Sequence, residues 1–265
     1  MSKKKDDKPK TPKVKKPKEP KAPKEPTVPK ADAPGTPIII PITDPPSFQY
    51  DLSHWTLTVP GQTAIVRADD LVAGFQSPKY FHLMSDGSLA FVATTAGFTT
   101  ANSNYPRSEL REQIMPPSNA RNWELFGRHE LVAECNVVKL SAAKKVIIGQ
   151  IHSYQGNAYP LVKLFHRNGN IELDVKRGPL DNTDDHYKFA AQPLNQWFDY
   201  SIRIRYGVLY VTVNGKEQEV TLNEDWDSNS FYFKAGCYCI DASGHATDYA
   251  EVRFNKLEVS HGTQQ

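Results

Sequence analysis

Residues 231–239 read Phe-Tyr-Phe-Lys-Ala-Gly-Cys-Tyr-Cys, with an apolar side chain at every second position. Successive side chains of a β-strand point to opposite faces of the sheet. One face of this stretch therefore carries only the apolar residues 231, 233, 235, 237 and 239. The other face carries Tyr232, Lys234, Gly236 and Tyr238. The pattern predicts a strand that buries one face in a core and presents a polar, cationic face on the other side.

Two further segments combine an apolar face with a polar one in the same way. The segment Arg-Ser-Glu-Leu-Arg places Arg107, Glu109 and Arg111 on one face, and the segment Gln-Ile-His does so with Gln150 and His152. A solvated sheet surface usually carries Thr, Lys, Glu and Ser, whereas these side chains are long and rich in hydrogen-bond donors. If the three strands adjoin, they form a cationic floor, so a binding surface is favoured over plain solvated sheet.

The rest of the chain after residue 46 also reads as strands separated by turn residues. Asn214-Gly215 between two apolar runs is a strong β-hairpin signal, and Asn168-Gly169 separates two more runs. A short helix could form near residues 68–73 or near residues 118–123. The pattern predicts an all-β fold, either an antiparallel sandwich or a jelly roll. The predicted strands are 55–59, 88–93, 146–151, 161–165, 171–175, 200–205, 209–213, 231–240 and 250–259.

The composition divides the chain into two parts. Residues 1–46 hold 12 of the 20 prolines and 12 of the 32 basic residues, with six acidic residues. Such a Lys/Pro-rich segment buries too little apolar surface to offset its chain entropy, so we expect a disordered tail or linker. Removing it leaves residues 47–265, whose 20 basic and 24 acidic side chains give a net charge of −4 rather than the whole-chain +2. This body is long enough for one domain.

Several classes of protein and site are disfavoured by simple counts. The three cysteines, Cys135, Cys237 and Cys239, are too few for a disulfide framework and are poorly spaced for zinc, so we expect core thiols. No apolar run is long enough to span a membrane, and the basic N-terminus lacks the apolar segment of a signal peptide. We therefore expect no membrane partner, and either a cytoplasmic protein or export by a non-standard route. The acidic body argues against nucleic acid, and a monomer is expected.

The side chains of this predicted cationic floor also limit which reaction the protein could catalyse. Arginine binds carboxylates through two parallel hydrogen bonds, so a carboxylated sugar polymer fits the floor. Glycoside hydrolysis needs two carboxyl groups, and the floor offers only Glu109, which neighbouring cations should keep ionised. A uronic acid polymer can instead be cut by β-elimination, which needs a group that neutralises the C6 carboxylate, a base and an acid. Arg107 and Gln150 suit the first role, and His152 and Tyr238 can move protons, with neither metal nor cofactor required.

These segments resemble a known family. Residues 103–112, Ser-Asn-Tyr-Pro-Arg-Ser-Glu-Leu-Arg-Glu, then Gln150-Ile151-His152, then residues 232–238 are similar in order and spacing to the three signature segments of the alginate lyases of polysaccharide lyase family 7. The resemblance covers residues 47–260. The sequence departs from the family pattern after Tyr238, where Cys239-Ile240 replaces the common Asn-Gln pair and so removes a polar group near the cleft edge.

The resemblance implies an all-β fold, a β-jelly roll sandwich of two antiparallel sheets with a concave catalytic face. It also implies a role for each matching residue. Arg107 and Gln150, helped by His152, would neutralise the substrate carboxylate. Tyr238 would protonate the leaving C4 oxygen and also act as base on mannuronate, whereas His152 would be the base for guluronate. The implied substrate-binding residues are Glu109, Arg111, Lys163 and Lys234, with Glu109 orienting the arginines.

Two alternatives remain open at this point. A lyase for another polyuronate, such as glucuronan, would use the same carboxylate-binding groups. A non-catalytic jelly roll that binds acidic polysaccharide would keep the arginines but would need neither His152 nor Tyr238. The sequence does not determine the preference for mannuronate or guluronate blocks, or the choice between internal and terminal cleavage, although internal cleavage is expected.

Overall fold

The computed structural model describes residues 45–100, 103–155 and 159–262. The tail predicted over residues 1–46 lies outside the described residues, except for Pro45 and Pro46. The described chain has the all-β architecture expected from the sequence, with 14 strands in two antiparallel seven-stranded sheets. The strands in chain order are β1 Trp55–Thr58, β2 Phe81–Leu83, β3 Leu89–Thr94, β4 Arg107–Glu112, β5 Arg128–Lys139, β6 Lys145–Ser153, β7 Pro160–Arg167, β8 Asn170–Lys176, β9 Asp184–Ala191, β10 Trp197–Arg205, β11 Val208–Val213, β12 Lys216–Thr221, β13 Phe231–Cys239 and β14 Tyr249–Gly262.

The two sheets have different strand orders. The first sheet runs β1-β4-β13-β6-β7-β8-β9, and the second runs β12-β11-β10-β5-β14-β3-β2. Strands far apart in the sequence are therefore neighbours, as in the pair β4 and β13. The predicted hairpin at Asn214-Gly215 is confirmed, because β11 and β12 pair across it.

Helical structure is sparse in the described residues. The α-helix Ala68–Val72 forms at one of the two predicted positions, and 3-10 turns occupy Pro46–Phe48 and Glu224–Trp226. The alternative position, residues 118–123, forms no helix. Ser118 Oγ accepts a hydrogen bond from the Ala120 amide, and the Asn122 side chain donates to the Asn119 carbonyl. Such local side-chain bonds compete with helical backbone bonds, so this segment is a loop.

The pattern misses β2, which has only three residues. It also misses β5 and β9, for different reasons. The inward positions of β5 include His129, Ala133 and Cys135, all at most 8% exposed, and these residue types give a weak apolar signal. Strand β9 lies at the edge of the first sheet, and its only buried residue is Phe189. An edge strand with one buried side chain shows no alternation.

The core fills the space between the two sheets. All five apolar residues of the opening stretch, from Phe231 to Cys239, are fully buried there, which confirms its predicted core face. Cys135 is also fully buried, and the three cysteines are free thiols in the core, as expected. The Tyr200 hydroxyl crosses between the sheets and donates to the Ile148 carbonyl at 3.0 Å. This packing holds β13 and β6 in place beneath their polar outer faces.

Candidate active site

The three polar segments predicted from the sequence lie side by side in the first sheet. β13 pairs with β4 on one side and with β6 on the other. Lys234 lies opposite Arg111 of β4 and also opposite Gln150 of β6. The strands share one polar outer face, which we call the polar floor: Arg107, Glu109, Arg111, Gln150, His152, Tyr232, Lys234 and Tyr238.

Gly236 allows β13 to approach β4 at the centre of the floor. Gly236 has a φ of +144°, a backbone conformation that residues other than glycine rarely adopt. A Cβ atom at this position would lie 2.5 Å from the Ser108 carbonyl oxygen. The pairing of β13 with β6 also shifts register between Ala235 and Tyr238. Such an irregularity re-aims nearby side chains, and here it precedes Tyr238 directly.

Glu109 is the centre of the floor's hydrogen-bond network. It is 2% exposed, and its carboxylate accepts from Arg107 Nη1 at 3.0 Å, from Lys234 Nζ and from Gln150 Nε2. One carboxylate therefore fixes three donors that come from three adjacent strands. A buried ionised group needs such partners, because an unpaired one carries a large desolvation penalty.

The charges of this network shift one another's pKa values. Burial by itself raises the pKa of Glu109, but the charges of Lys234 and Arg107 outweigh it and hold that pKa below its ordinary value. Burial, together with the nearby Arg107, lowers the pKa of Lys234 to about 8. Near neutral pH the floor then holds Arg107, Arg111 and Lys234 as cations against the single carboxylate of Glu109. The surplus positive charge suits an anionic ligand.

Arg107 and Tyr238 form a second unit on the floor. The Arg107 guanidinium carbon lies 3.7 Å from the centre of the Tyr238 ring, and Arg107 Nη2 donates to Ser103 Oγ at 2.6 Å. The same Ser103 oxygen lies 3.0 Å from the Tyr238 hydroxyl. The buried Arg107 Nε has no hydrogen-bond partner among the described residues. Sequence reasoning missed Ser103, because it lies before β4 in a turn that has no periodic pattern.

His152 lies at the other side of the floor, stacked on Tyr232 with ring centres 5.3 Å apart. Its Nδ1 lies 2.9 Å from the Ser153 carbonyl oxygen, so Nδ1 is the donor. Burial, helped by the charge of Lys234, lowers the pKa of His152 to about 4. The ring is therefore neutral at pH 7, which leaves Nε2 with a free lone pair that can accept a proton.

Two predicted substrate-binding residues, Arg111 and Lys163, already contact other side chains or carbonyl groups of the protein. The Arg111 guanidinium covers the Tyr232 ring at 4.0 Å and donates to the Asn119 carbonyl at 3.0 Å. Lys163 of β7 lies opposite Gln150, but its Nζ donates to Asp184 Oδ2 at 2.6 Å. The sequence does not predict the contact between Asp184 and Lys163, because it depends on how β7, β8 and β9 pair.

The two residues that depart from the family pattern, Cys239 and Ile240, point to opposite faces of the sheet. The Cys239 side chain is fully buried on the core face, so its thiol does not face the floor. By alternation Ile240 follows on the side of Tyr238, and it is half-buried. Residue 240 is therefore the one of the pair that lies on the side of the polar floor.

The described part of the chain holds neither a cluster of metal-ligating side chains nor a membrane-spanning helix. Across residues 45–100, 103–155 and 159–262, no three His, Cys, Asp or Glu side chains are grouped as a metal ion would require. Among these same residues, no helix has the length and apolarity to cross a membrane.

Comparison with known proteins gives consistent matches. Residues 50–261 match the family model described as alginate lyase. A curated alginate lyase from Klebsiella pneumoniae is 25% identical over 83% of this chain and 92% of its own length.

Solved structures resemble both the fold and the sequence. Alginate lyase A1-II′, a member of polysaccharide lyase family 7, is 35% identical, with a TM-score of 0.78 over 83% of this chain and 99% of its own. A variant of that enzyme, with one histidine changed to asparagine and one tyrosine to phenylalanine, was solved with the substrate GGMG; it is 34% identical, with a TM-score of 0.80 over 83% and 98% of the two chains. An alginate lyase from Pseudomonas aeruginosa is 33% identical, with a TM-score of 0.75 over 80% and 100%.

Proposed function

The chain belongs to the alginate lyase family and is a polysaccharide lyase, and we propose that it cleaves alginate by metal-independent β-elimination. Cleavage is internal and leaves unsaturated oligosaccharides. One observation supports this proposal most strongly: the buried network of Arg107, Glu109 and Gln150 lies between the Tyr238 hydroxyl and the neutral His152 ring. Carboxylate-binding donors and two proton carriers thus share one face.

Neutralisation of the substrate carboxylate is the first requirement. The C5 proton of a uronate is acidic enough to remove only when the charge of the C6 carboxylate is offset. Arg107 and Gln150 bind that carboxylate, with help from His152, and Glu109 holds both donors in place through its hydrogen bonds. Donors fixed in this way need no reorganisation when charge develops in the transition state. Their cations and amides supply the electrostatic stabilisation for which other enzymes use a metal.

Proton transfer completes the reaction. A base takes the C5 proton, the C5–H electron pair forms the C4–C5 double bond, and the C4–O bond breaks. Tyr238 protonates the departing C4 oxygen, so atoms and charge balance. On mannuronate the Tyr238 oxygen receives the C5 proton as its own hydroxyl proton passes to the C4 oxygen, so the tyrosine ends the step neutral. On guluronate, where the C5 proton lies on the opposite side, His152 Nε2 accepts it. In A1-II′ the substrate complex was solved with one histidine and one tyrosine replaced, the same two residue types to which these roles are given.

Binding groups on several strands support internal cleavage by a monomer. Arg111 of β4 and Lys163 of β7 lie on either side of the strands that carry Lys234 and Gln150. The polymer therefore meets a positively charged side chain on both sides of the reacting sugar. Every proposed catalytic group comes from a single chain. We expect alginate viscosity to fall well before double bonds accumulate, and light scattering to give a monomer mass. Release of small products from the first turnover onward would refute internal cleavage.

A substrate panel tests the reaction itself. Purified protein is incubated with mannuronate blocks, guluronate blocks, mixed alginate and glucuronan, with and without a chelator. The expected result is rising ultraviolet absorbance from the C4–C5 double bond on alginate substrates, unchanged by the chelator. Absorbance that rises only on glucuronan would assign another polyuronate, and loss of activity in chelator would refute the metal-independent route.

A further inference from the structure

A cavity outside the polar floor lies at one end of the second sheet. It has a volume of about 640 Å³, and its lining includes Arg128, Arg203, Arg205, Tyr206 and Tyr210. These residues come from β5, β10, β11 and the turn that joins the last two. The polar floor lies on the first sheet, so the cavity shares none of its residues.

Two arginines occupy directly opposite positions on neighbouring strands that line this cavity. Arg128 of β5 and Arg205 of β10 occupy opposite positions in the antiparallel pairing, and both are exposed. Like charges at such positions repel. Neither arginine has a carboxylate partner in the described part of the chain. The nearby acids Glu130 and Glu217 are paired instead with Arg203. Among the described residues, two guanidinium groups thus have no counter-ion, although the body is acidic overall.

Tyr206 adds an aromatic surface beside these charges. It is 44% exposed, and its φ of +50° is uncommon for a residue other than glycine. Its amide donates to the Gly127 carbonyl at 3.0 Å, and its hydroxyl accepts from Arg128 Nε at 3.0 Å. The positive φ follows from the two-residue hairpin Tyr206-Gly207, which joins β10 to β11 and has positive φ at both positions. The turn thereby presents an exposed aromatic ring beside Arg128, which has no carboxylate partner among the described residues.

We propose that this cavity is a second, non-catalytic binding site for the uronate polymer. Arg128 and Arg205 bind sugar carboxylates, for which the planar guanidinium offers paired donors, and the exposed face of Tyr206 packs against a sugar ring. Nucleic acid is disfavoured because recognition of its phosphates needs a broadly basic domain. The inference rests on the proposed function, since it takes the same substrate class. A second contact raises the local concentration of polymer at the floor and holds the enzyme on its substrate between cuts.

Binding stoichiometry tests the proposal. An alginate tetramer is titrated by calorimetry into Tyr238→Phe protein, and into the same protein with Arg128→Gln and Arg205→Gln. We expect two bound tetramers in the first case and one in the second, because the cavity's affinity falls by about tenfold or more when its charged hydrogen bonds are lost. The matched control, Lys79→Gln with Lys216→Gln, removes two exposed charges elsewhere and should still bind two. One tetramer in every protein, or two in every protein, would overturn the proposal.

A second variant and a neutral ligand test the roles of the aromatic ring and of the carboxylates separately. If the double arginine variant does not fold, Tyr206→Asn replaces it, because asparagine tolerates positive φ while lacking the ring; it should weaken the second site only. A neutral tetramer of glucose that bound the cavity equally well would overturn the assignment to carboxylates. Failure of the proposed function would show separately, as wild-type protein that produces no unsaturated sugar from any polyuronate.

Discussion

The guanidinium carbon of Arg107 lies 3.7 Å from the centre of the Tyr238 ring, and one serine oxygen links their polar ends. Arg107 is held in turn by Glu109. The group proposed to neutralise the substrate and the group proposed to move its proton are therefore positioned against each other before substrate binds. Such preorganisation places the reacting carboxylate and the C4 oxygen relative to fixed donors.

Replacing Tyr238 by phenylalanine should abolish nearly all turnover while binding survives. The ring and its contact with Arg107 remain, but the hydroxyl that carries the proton is lost. Loss of general acid catalysis lowers kcat by about 10²- to 10⁴-fold, which initial rates of absorbance increase would measure. Tyr105→Phe is the control, because Tyr105 only packs edge-on against Tyr238 with ring centres 6.3 Å apart. Unchanged kcat in Tyr238→Phe would refute the role given to Tyr238.

The pH dependence of kcat/KM on guluronate should be bell-shaped. His152 has a pKa of about 4, so it is neutral and able to accept a proton only above that pH. Lys234 has a pKa of about 8, so the floor loses a positive charge as pH rises through that value, and it then binds an anion less well. Lys234→Arg should extend activity to higher pH, since arginine stays protonated. An alkaline limb at the same pH in both proteins would contradict this assignment.

Glu109→Gln should destabilise the fold as well as the site. Glutamine keeps the shape but not the charge, which leaves Lys234 and Arg107 without their buried counter-ion. Removing one partner of a buried ion pair costs about 3–5 kcal/mol, and thermal unfolding would measure it. Glu258→Gln breaks an exposed pair with Lys256 and should change stability by less than about 1 kcal/mol. Equal melting temperatures for the two variants would show that Glu109 has no structural role.

Gly236→Ala should disrupt the pairing of β13 with β4. The added methyl group would lie 2.5 Å from the Ser108 carbonyl oxygen and 2.8 Å from the Glu109 Cα, and neither backbone atom can move freely. Gly169→Ala is a matched control, because Gly169 also has a positive φ but has no atom within 4 Å of the added group. We expect poor folding or lost activity for the first and a cost of about 1 kcal/mol for the second. Equal stability of the two would rule out the close approach.

We propose that residues 1–46 are a tail with no part in turnover. The truncation is best made after residue 44, because the Pro46 carbonyl accepts hydrogen bonds from the Gln49 and Tyr50 amides. The shortened protein should cleave short alginate oligomers at the full rate, measured at moderate salt. A large fall in kcat would instead assign part of the tail to the active site.

Much of the site was predictable because a strand fixes which side chains share a face. Alternation alone put Arg107, Glu109 and Arg111 together, and separately Gln150 with His152, and the family resemblance supplied their proposed roles. Alternation also assigned the core face of residues 231–239, which is fully buried.

Tertiary structure decided which faces meet and which charges pair. Ser103 reaches Tyr238 across 135 positions of sequence, Lys163 is bound by Asp184, and Arg128 lies opposite Arg205. None of these contacts leaves a periodic signal. The physical reason is that side-chain alternation is a local property of one backbone segment, whereas strand order, register and ion pairing depend on which distant segments hydrogen-bond to each other when the core forms.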